Sequence, residues 1–461
     1  MSQSSNGITK ICGNDYPFCY EQETEKITIY LGSGVVEIPE GMDQIVGTKL
    51  GMITGGNTLY KLSVPLSNDC MTVVDNQTKY ISVGSQIRSV EYAIEDYQEN
   101  SRYAEMRLQF PELDFFIPST GRAAVSTDEI ILSRVKDSLH NFDIEYRDTV
   151  VSVSFNTKIS AIAKVKLTAE TISEVTLKFN ETDKIEYLIG LYIFARNFFA
   201  FICNRQNIGL RYAVIIGNHP SKTIESGKVV DTVSYTKQRL ILSQKYLEPL
   251  EDKEQIAKVP NSRIFSNRLE ELFQLFFEKR VRDTAIVNGS CIHPSVKYRN
   301  LIDLEQSLHI TATFEYYVRT MLPEISSQET IDFFNDIQAL VDDYIKNVTG
   351  KKKKKAKDFM KSLRPQVSLN EKVIKVFDGY STWQPLKPIL TEWFGDDVTD
   401  LASAANLWRN ELAHEKREYQ PDINVIKAIR LIEHINYCIV LRCAGYPDEQ
   451  IKQIVMDTLA R

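Results

Sequence analysis

The sequence predicts an α+β protein, with a β-rich N-terminal domain (sandwich or barrel-like, with an added helix) over residues 1–262 and an all-α helical bundle over residues 263–461. Three observations predict it. Between about residue 26 and residue 180, apolar and polar residues alternate with period two. After about residue 262 the apolar spacing becomes helical. At 461 residues, the chain exceeds the roughly 100–200 residues of one ordinary domain.

The strand pattern is clearest in "VVSVSFN", where Val151, Val153 and Phe155 share one face and Ser152 and Ser154 the other, and in "EVTLKFN", with Val175, Leu177 and Phe179 together. Such alternation belongs to half-buried antiparallel strands. "KITIYL", "LYKLSVPL" and "KYISVG" are further strands, separated by turn signals such as "GSG", "TGGN" and "DNQ". "LRYAVIIGN" reads as another buried strand, and "GNHP" around His219 as a turn. Between them, "YLIGLYIFARNFFAFIC" spans Tyr187 to Cys203. Its length of 17 residues, with Arg196 and Asn197 in the middle, predicts a buried helix rather than a membrane span.

The helical half opens with "SRIFSNRLEELFQLFFEKRVRD", in which Phe265, Leu269, Leu272, Phe273 and Phe276 fall at helical spacing. "NLIDLEQSLHITATFEYYVRTML" and "IDFFNDIQALVDDYIKNV" are the next two helices. "TGKKKKKAKD" is a turn followed by a lysine run that reads as a solvated loop between helices. "SLNEKVIKVFDGY", "KPILTEWFGDDVTDLASAANLWRNELAHEK" and a last helix, "DINVIKAIRLIEHINYCIVLRCAG", complete an α bundle.

A net charge of −6 excludes adhesion to nucleic acid through the whole surface, so any phosphate contact has to come from a local basic region. Seven scattered cysteines, without a CxxC pair, predict reduced thiols in a cytoplasmic protein. The N-terminal residues lack the basic and apolar segments of a signal peptide. Phosphate-loop, dinucleotide-binding, HExxH and GxSxG patterns are missing from the sequence, which argues against a nucleotide-driven motor, a zinc protease and a serine hydrolase.

One short stretch carries candidate chemistry. "WRNELAHEK" places Arg409, Asn410 and His414 together in a chain with only six histidines. On a helix advancing ~100° per residue, Leu401, Ala405, Trp408 and Leu412 form the core-facing stripe. Asn410, His414 and Arg417 fall together on a stripe roughly opposite, with Arg409 at its margin. Taken alone, an arginine and a histidine five residues apart are a solvated helix face. "RNELAH", however, resembles the R-(polar)-x(3)-H motif of HEPN domains, all-α modules that include many metal-independent ribonucleases. A β-rich N-terminal region ending in an aromatic helix is similar to the N-terminal half of the ApeA-type bacterial anti-phage HEPN family.

That resemblance implies an endoribonuclease that needs no metal or cofactor. RNA supplies its own nucleophile, the 2′-hydroxyl, so the protein has to supply an acid, a base and positive charge. Histidine, with an unperturbed pKa of about 6.5, serves as acid or base. The planar arginine binds two phosphate oxygens. Asn410 orients His414 or donates to the phosphate. The implied products are a 2′,3′-cyclic phosphate and a 5′-hydroxyl. One helix supplies one His414, so apposed stripes in a homodimer, or a higher assembly through the helical domain, complete the site. The motif is expected near the start of its helix.

Supporting residues are expected in Glu315, with Glu305 and Asp303 as competing acidic partners for Arg409, and in Arg417. The run Lys351, Lys352, Lys353, Lys354 and Lys355 is a candidate RNA contact. His309 and His434 read as core or rim histidines. The resemblance also implies a phage-derived trigger at the N-terminal domain and transfer RNA among the possible substrates. Two other readings stay open: a non-catalytic HEPN module that binds RNA or protein, and a carbohydrate- or ligand-binding β domain with a helical tail.

Overall fold

The computed structural model describes residues 4–32, 38–49, 56–66, 71–74, 81–117, 123–125, 130–132, 140–163, 167–205, 208–225, 228–242, 259–278, 304–321, 328–362, 368–376, 387–394, 398–413 and 422–459. It is a mixed α+β protein with two compact units. The first comprises residues 1–193 and 207–261, and the second residues 194–206 and 262–461.

In the first unit, the alternating runs form strands β1 (Ser4–Ile11), β2 (Asn14–Glu21), β3 (Lys26–Tyr30), β4 (Gln44–Lys49), β5 (Asn57–Leu62), β6 (Met71–Val74) and β7 (Ile81–Glu95). β7 pairs with β3 and also with β5, so the path β7–β3–β2–β1–β4–β5 closes on itself as a barrel of antiparallel neighbours. Closure removes the unpaired edges that an open sheet would expose. The barrel interior is a cluster of buried side chains that includes Phe18, Tyr20, Ile27, Ile29, Ile45, Tyr60 and Leu62. Phe18 lies over Gly7 and Gly47, where a Cβ would come within about 2.5 Å of its ring.

Beyond the barrel, the sheet continues from β7 through β15 (Lys228–Leu242), β14 (Tyr212–Glu225), β8 (Arg102–Gln109), β13 (Leu167–Thr182), β12 (Thr149–Ala163) and β11 (His140–Tyr146). Two three-residue strands, β9 (Ala123–Val125) and β10 (Ile130–Leu132), pair separately, and a single helical turn, α1 (Leu113–Phe116), precedes them. Val151, Val153 and Phe155 are buried while Ser152 and Ser154 are partly exposed, as the alternation predicts.

His219 is not in a turn. It lies inside β14, paired with Ser234, and Pro220 follows it opposite Val233. The reason is positional: β8 pairs with β14 only as far as Asn218, so from His219 onward β14 has β15 on one side and no second neighbouring strand among the described residues. A proline lacks only a donor on the unpaired side and is tolerated there.

The apolar stretch forms α2 (Ile185–Cys203), the one described helix long and apolar enough to cross a bilayer, and most of it is buried. The sequence places it wholly in the N-terminal domain. In the structure it divides at Ile193, because its second half carries Phe198 and Phe201, which pack with Phe273, Phe276 and Tyr437 of the helical unit. Its first half packs Tyr187 against Tyr146 and Phe179, and Tyr192 against Phe110.

The second unit starts with a 3-10 turn, Ser262–Arg268, where the sequence predicts an unbroken helix, and continues as α3 (Leu269–Leu275). It then contains α4 (Leu304–Met321), α5 (Gln328–Asn347), α6 (Gly350–Ser362), α7 (Leu369–Ile374), α8 (Lys387–Phe394), α9 (Val398–Ala413) and α10 (Ile423–Cys443). α10 is the axis of this unit. It packs on α3, α4, α8 and α9, and Asp422 caps it by accepting from the Val425 N–H at 2.9 Å. Buried Asn436 donates from Nδ2 to the Ile310 carbonyl at 2.9 Å and fixes α10 against α4.

A helix not expected from sequence, α11 (Asp448–Thr458), follows α10. It is anchored by Tyr446 and Gln450, which donate to the carbonyls of Phe265 and Ile264 at 2.8 Å. Its buried Ile451, Ile454, Val455 and Thr458 fall at i, i+3, i+4 and i+7, a helical signal that the sequence carried. The lysine run is likewise not a loop: it forms the first turns of α6.

Candidate functional site

The candidate site is built on three helices. α9 turns Leu401, Ala405 and Trp408 into the core, as the stripe analysis predicts, whereas Leu412, placed on the same stripe by sequence, is only half-buried, like Arg409 and Asn410. Arg409 and Asn410 lie in the second half of α9, not near its start. His414 and Arg417 lie outside the described residues.

Glu315 on α4 meets this turn. Its Oε2 accepts from Arg409 Nη2 at 2.8 Å, and its Oε1 accepts from Lys372 Nζ on α7 at 3.1 Å. The two oxygens of one carboxylate thus tie α4, α7 and α9 together. Of the acidic competitors, Glu305 is exposed and lies 3.5 Å from His309 on its own helix, and Asp303 falls outside the described residues. The Glu315 side chain is 24% exposed, Lys372 19% and Arg409 40%, so the arginine is the most accessible member. A carboxylate bonded to Nη2 restrains the guanidinium while the arginine side chain stays 40% exposed.

Lys372 was not predicted. It is held by a helix of only six residues, too short to persist unaided. Ser368 stabilises the start of α7 by a capping box: its Oγ accepts from the Glu371 N–H at 3.4 Å, and its own N–H donates to Glu371 Oε2 at 3.0 Å. These bonds, the Ser368 backbone N–H first and its hydroxyl second, hold the Glu371 carboxyl below its ordinary value of 4.5. The "SLNE" pattern was the available signal for this helix start, but nothing local shows that Lys372 faces Glu315.

The remaining candidates lie elsewhere. Lys351, Lys352, Lys354 and Lys355 are exposed on α6 and Lys353 is partly buried, apart from the Glu315 cluster. His434 bonds the Arg430 carbonyl through Nδ1 at 2.7 Å and touches Trp393 and Phe394 edge-on, as a rim histidine does. His309 is exposed. Among the described residues no group of three His, Cys, Asp or Glu side chains is gathered as a metal site.

The β unit has its own concavity, a cleft of about 210 Å³ between the end of β15 and the start of β3, lined by Tyr20, Glu91, Tyr92, Arg211, Tyr212 and Arg239. Burial pushes the Tyr20, Tyr92 and Tyr212 hydroxyls up to about 12. Arg211 is engaged by Asp114 at 2.6 Å.

Set against known proteins, the chain matches no family model, no curated protein and no solved structure.

Proposed function

We propose that the chain is a metal-independent endoribonuclease of the HEPN type, ApeA-like in organisation, in which Arg409, aimed by Glu315, receives the scissile phosphate. The observation that carries this reading is the carboxylate contact to Arg409: a partly exposed guanidinium on the motif helix, bonded to Glu315 at 2.8 Å.

In this account the RNA 2′-hydroxyl attacks phosphorus and the bond to O5′ breaks. One proton leaves the 2′-oxygen and one is delivered to O5′, giving a 2′,3′-cyclic phosphate and a 5′-hydroxyl. Arg409 stabilises the negative charge that grows on the non-bridging oxygens. His414, four residues beyond Asn410, transfers a proton, and Asn410 orients it or the phosphate. Two proton transfers on opposite sides of phosphorus call for a second titratable group, which a second copy of the chain supplies through its own His414. The β unit, with its cleft lined by Tyr20, Tyr92, Tyr212 and two arginines, is the regulatory part that receives the trigger of a defence response. RNA cleavage after that trigger then stops growth of an infected cell, with transfer RNA among the candidate substrates and the cytoplasm as the place of action.

Growth of cells expressing the wild type, Arg409→Ala or His414→Ala at equal levels, with and without phage, tests the reading. The expected result is arrest by the wild type in at least one condition and rescue by both variants. Equal growth of all three in both conditions overturns it.

A further inference from the structure

The strongest unexplained feature of the helical unit is α5. None of its described residues is buried, although the helix is 20 residues long. Phe333 and Leu340 are each 67% exposed and Tyr344 49%, with Ile337 partly exposed between them. Their spacing of four, three and four residues is that of a coiled-coil seam, confined to roughly 60° of the helix surface. A soluble protein rarely leaves a continuous apolar stripe of this kind in water.

Charge narrows the choice of partner. Asp336 and Asp343 line one flank of the seam, roughly 20° apart on the helical wheel. The partly buried Val341 and Ile345 lie on the other flank, toward α6, on which α5 packs. α5 holds five acidic residues and one lysine. α6 holds seven lysines and one aspartate, and begins with five lysines in succession. Those lysines repel one another and oppose the positive end of their own helix dipole, so α6 gains from an acidic surface beside it. An RNA strand fits this hairpin poorly, because the aspartates repel phosphate and the seam offers phosphate nothing.

We propose that the α5–α6 hairpin is a self-association surface whose partner is a second copy of this chain. A two-fold axis running along α5 sets seam on seam, Phe333, Ile337, Leu340 and Tyr344 against their equivalents, and brings the second copy's lysine-rich α6 beside the aspartate flank. Each copy contributes both the acidic and the basic element, so the contact is satisfied twice. It stands independently of the nuclease reading.

The test is the mass in solution of the full chain, by sedimentation or light scattering at tens of micromolar. Wild type is expected to associate and to loosen as salt rises. Leu340→Glu with Phe333→Ser, both at exposed positions, is expected to lose one step of assembly with an unchanged circular dichroism spectrum and melting temperature. The double change Asp336→Lys and Asp343→Lys, and separately Lys351→Glu, Lys354→Glu and Lys355→Glu, are each expected to weaken association, and an equimolar mixture of the two variants to restore it. A monomeric wild type, seam variants with wild-type mass, or a mixture that fails to reassociate overturns the proposal. Loss of RNA binding in the lysine variant with mass unchanged also overturns it, and assigns α6 to RNA.

Discussion

Glu315 is the residue on which the site turns. With a cation on each oxygen, it is the member whose removal affects both others. Glu315→Gln keeps the shape and removes the charge. Because all three groups are partly exposed, the stability loss is modest, about 1 kcal/mol in denaturant unfolding. The loss of cleavage is larger, roughly tenfold or more, because the guanidinium is no longer held in place. Lys372→Met is expected to have the milder effect on cleavage, since the Arg409 contact persists. Equal rates for wild type and Glu315→Gln contradict the positioning role. At this scale Trp408, Ala405 and Leu401 marked the core face of α9 in the sequence, while Leu412, assigned to the same stripe, is only half-buried. The sequence listed Glu315 beside Glu305 and Asp303 without separating them, because their spacing along α4 says nothing about which one meets another helix. Lys372 was invisible for the same reason.

Among the elements, α7 is the weakest support and the easiest to test. Ser368→Ala removes half of its capping box and is expected to cost about 1 kcal/mol, read as a lowered denaturation midpoint. Glu371 gives the cap a pH signature. Its carboxyl is held below 4.5 in the folded chain, so its contribution is complete above that value and is lost as pH falls through the lowered one. Stability curves of wild type and Glu371→Gln should converge in that acid range, and a constant gap down to low pH contradicts the assignment. In the barrel, Gly47 borders the Phe18 ring so closely that Gly47→Ala is expected to destabilise the β unit by about 1–3 kcal/mol, measured by thermal unfolding. An unchanged melting temperature contradicts that packing. Strands with clean alternation, such as β12, were legible because one face is buried and the other wet. Pro220 was misread because its tolerance depends on where β8 stops, a fact about another strand. α6 was misread because five lysines carry no apolar period, although each is individually a good helix former.

At the scale of the molecule, the change from period two to helical spacing near residue 262 coincides with the division between the compact units after Asn261. Closure of the barrel was not legible. It depends on β5 returning to β7, and pairing between strands is not written in the alternation of either one. The partition of α2 was hidden as well, since its aromatic residues are apolar throughout and do not announce which unit each half serves. What the molecule does rests on whether Arg409, clamped by Glu315, and His414 act together on a phosphodiester. The direct measurement is incubation of the purified full chain with RNA in excess chelator, with the fragment ends identified. The account predicts fragments ending in 2′,3′-cyclic phosphate for the wild type and none for Arg409→Ala or His414→Ala. An intact RNA with the wild type at all concentrations and with phage lysate added, or fragments that persist in both variants, contradicts it.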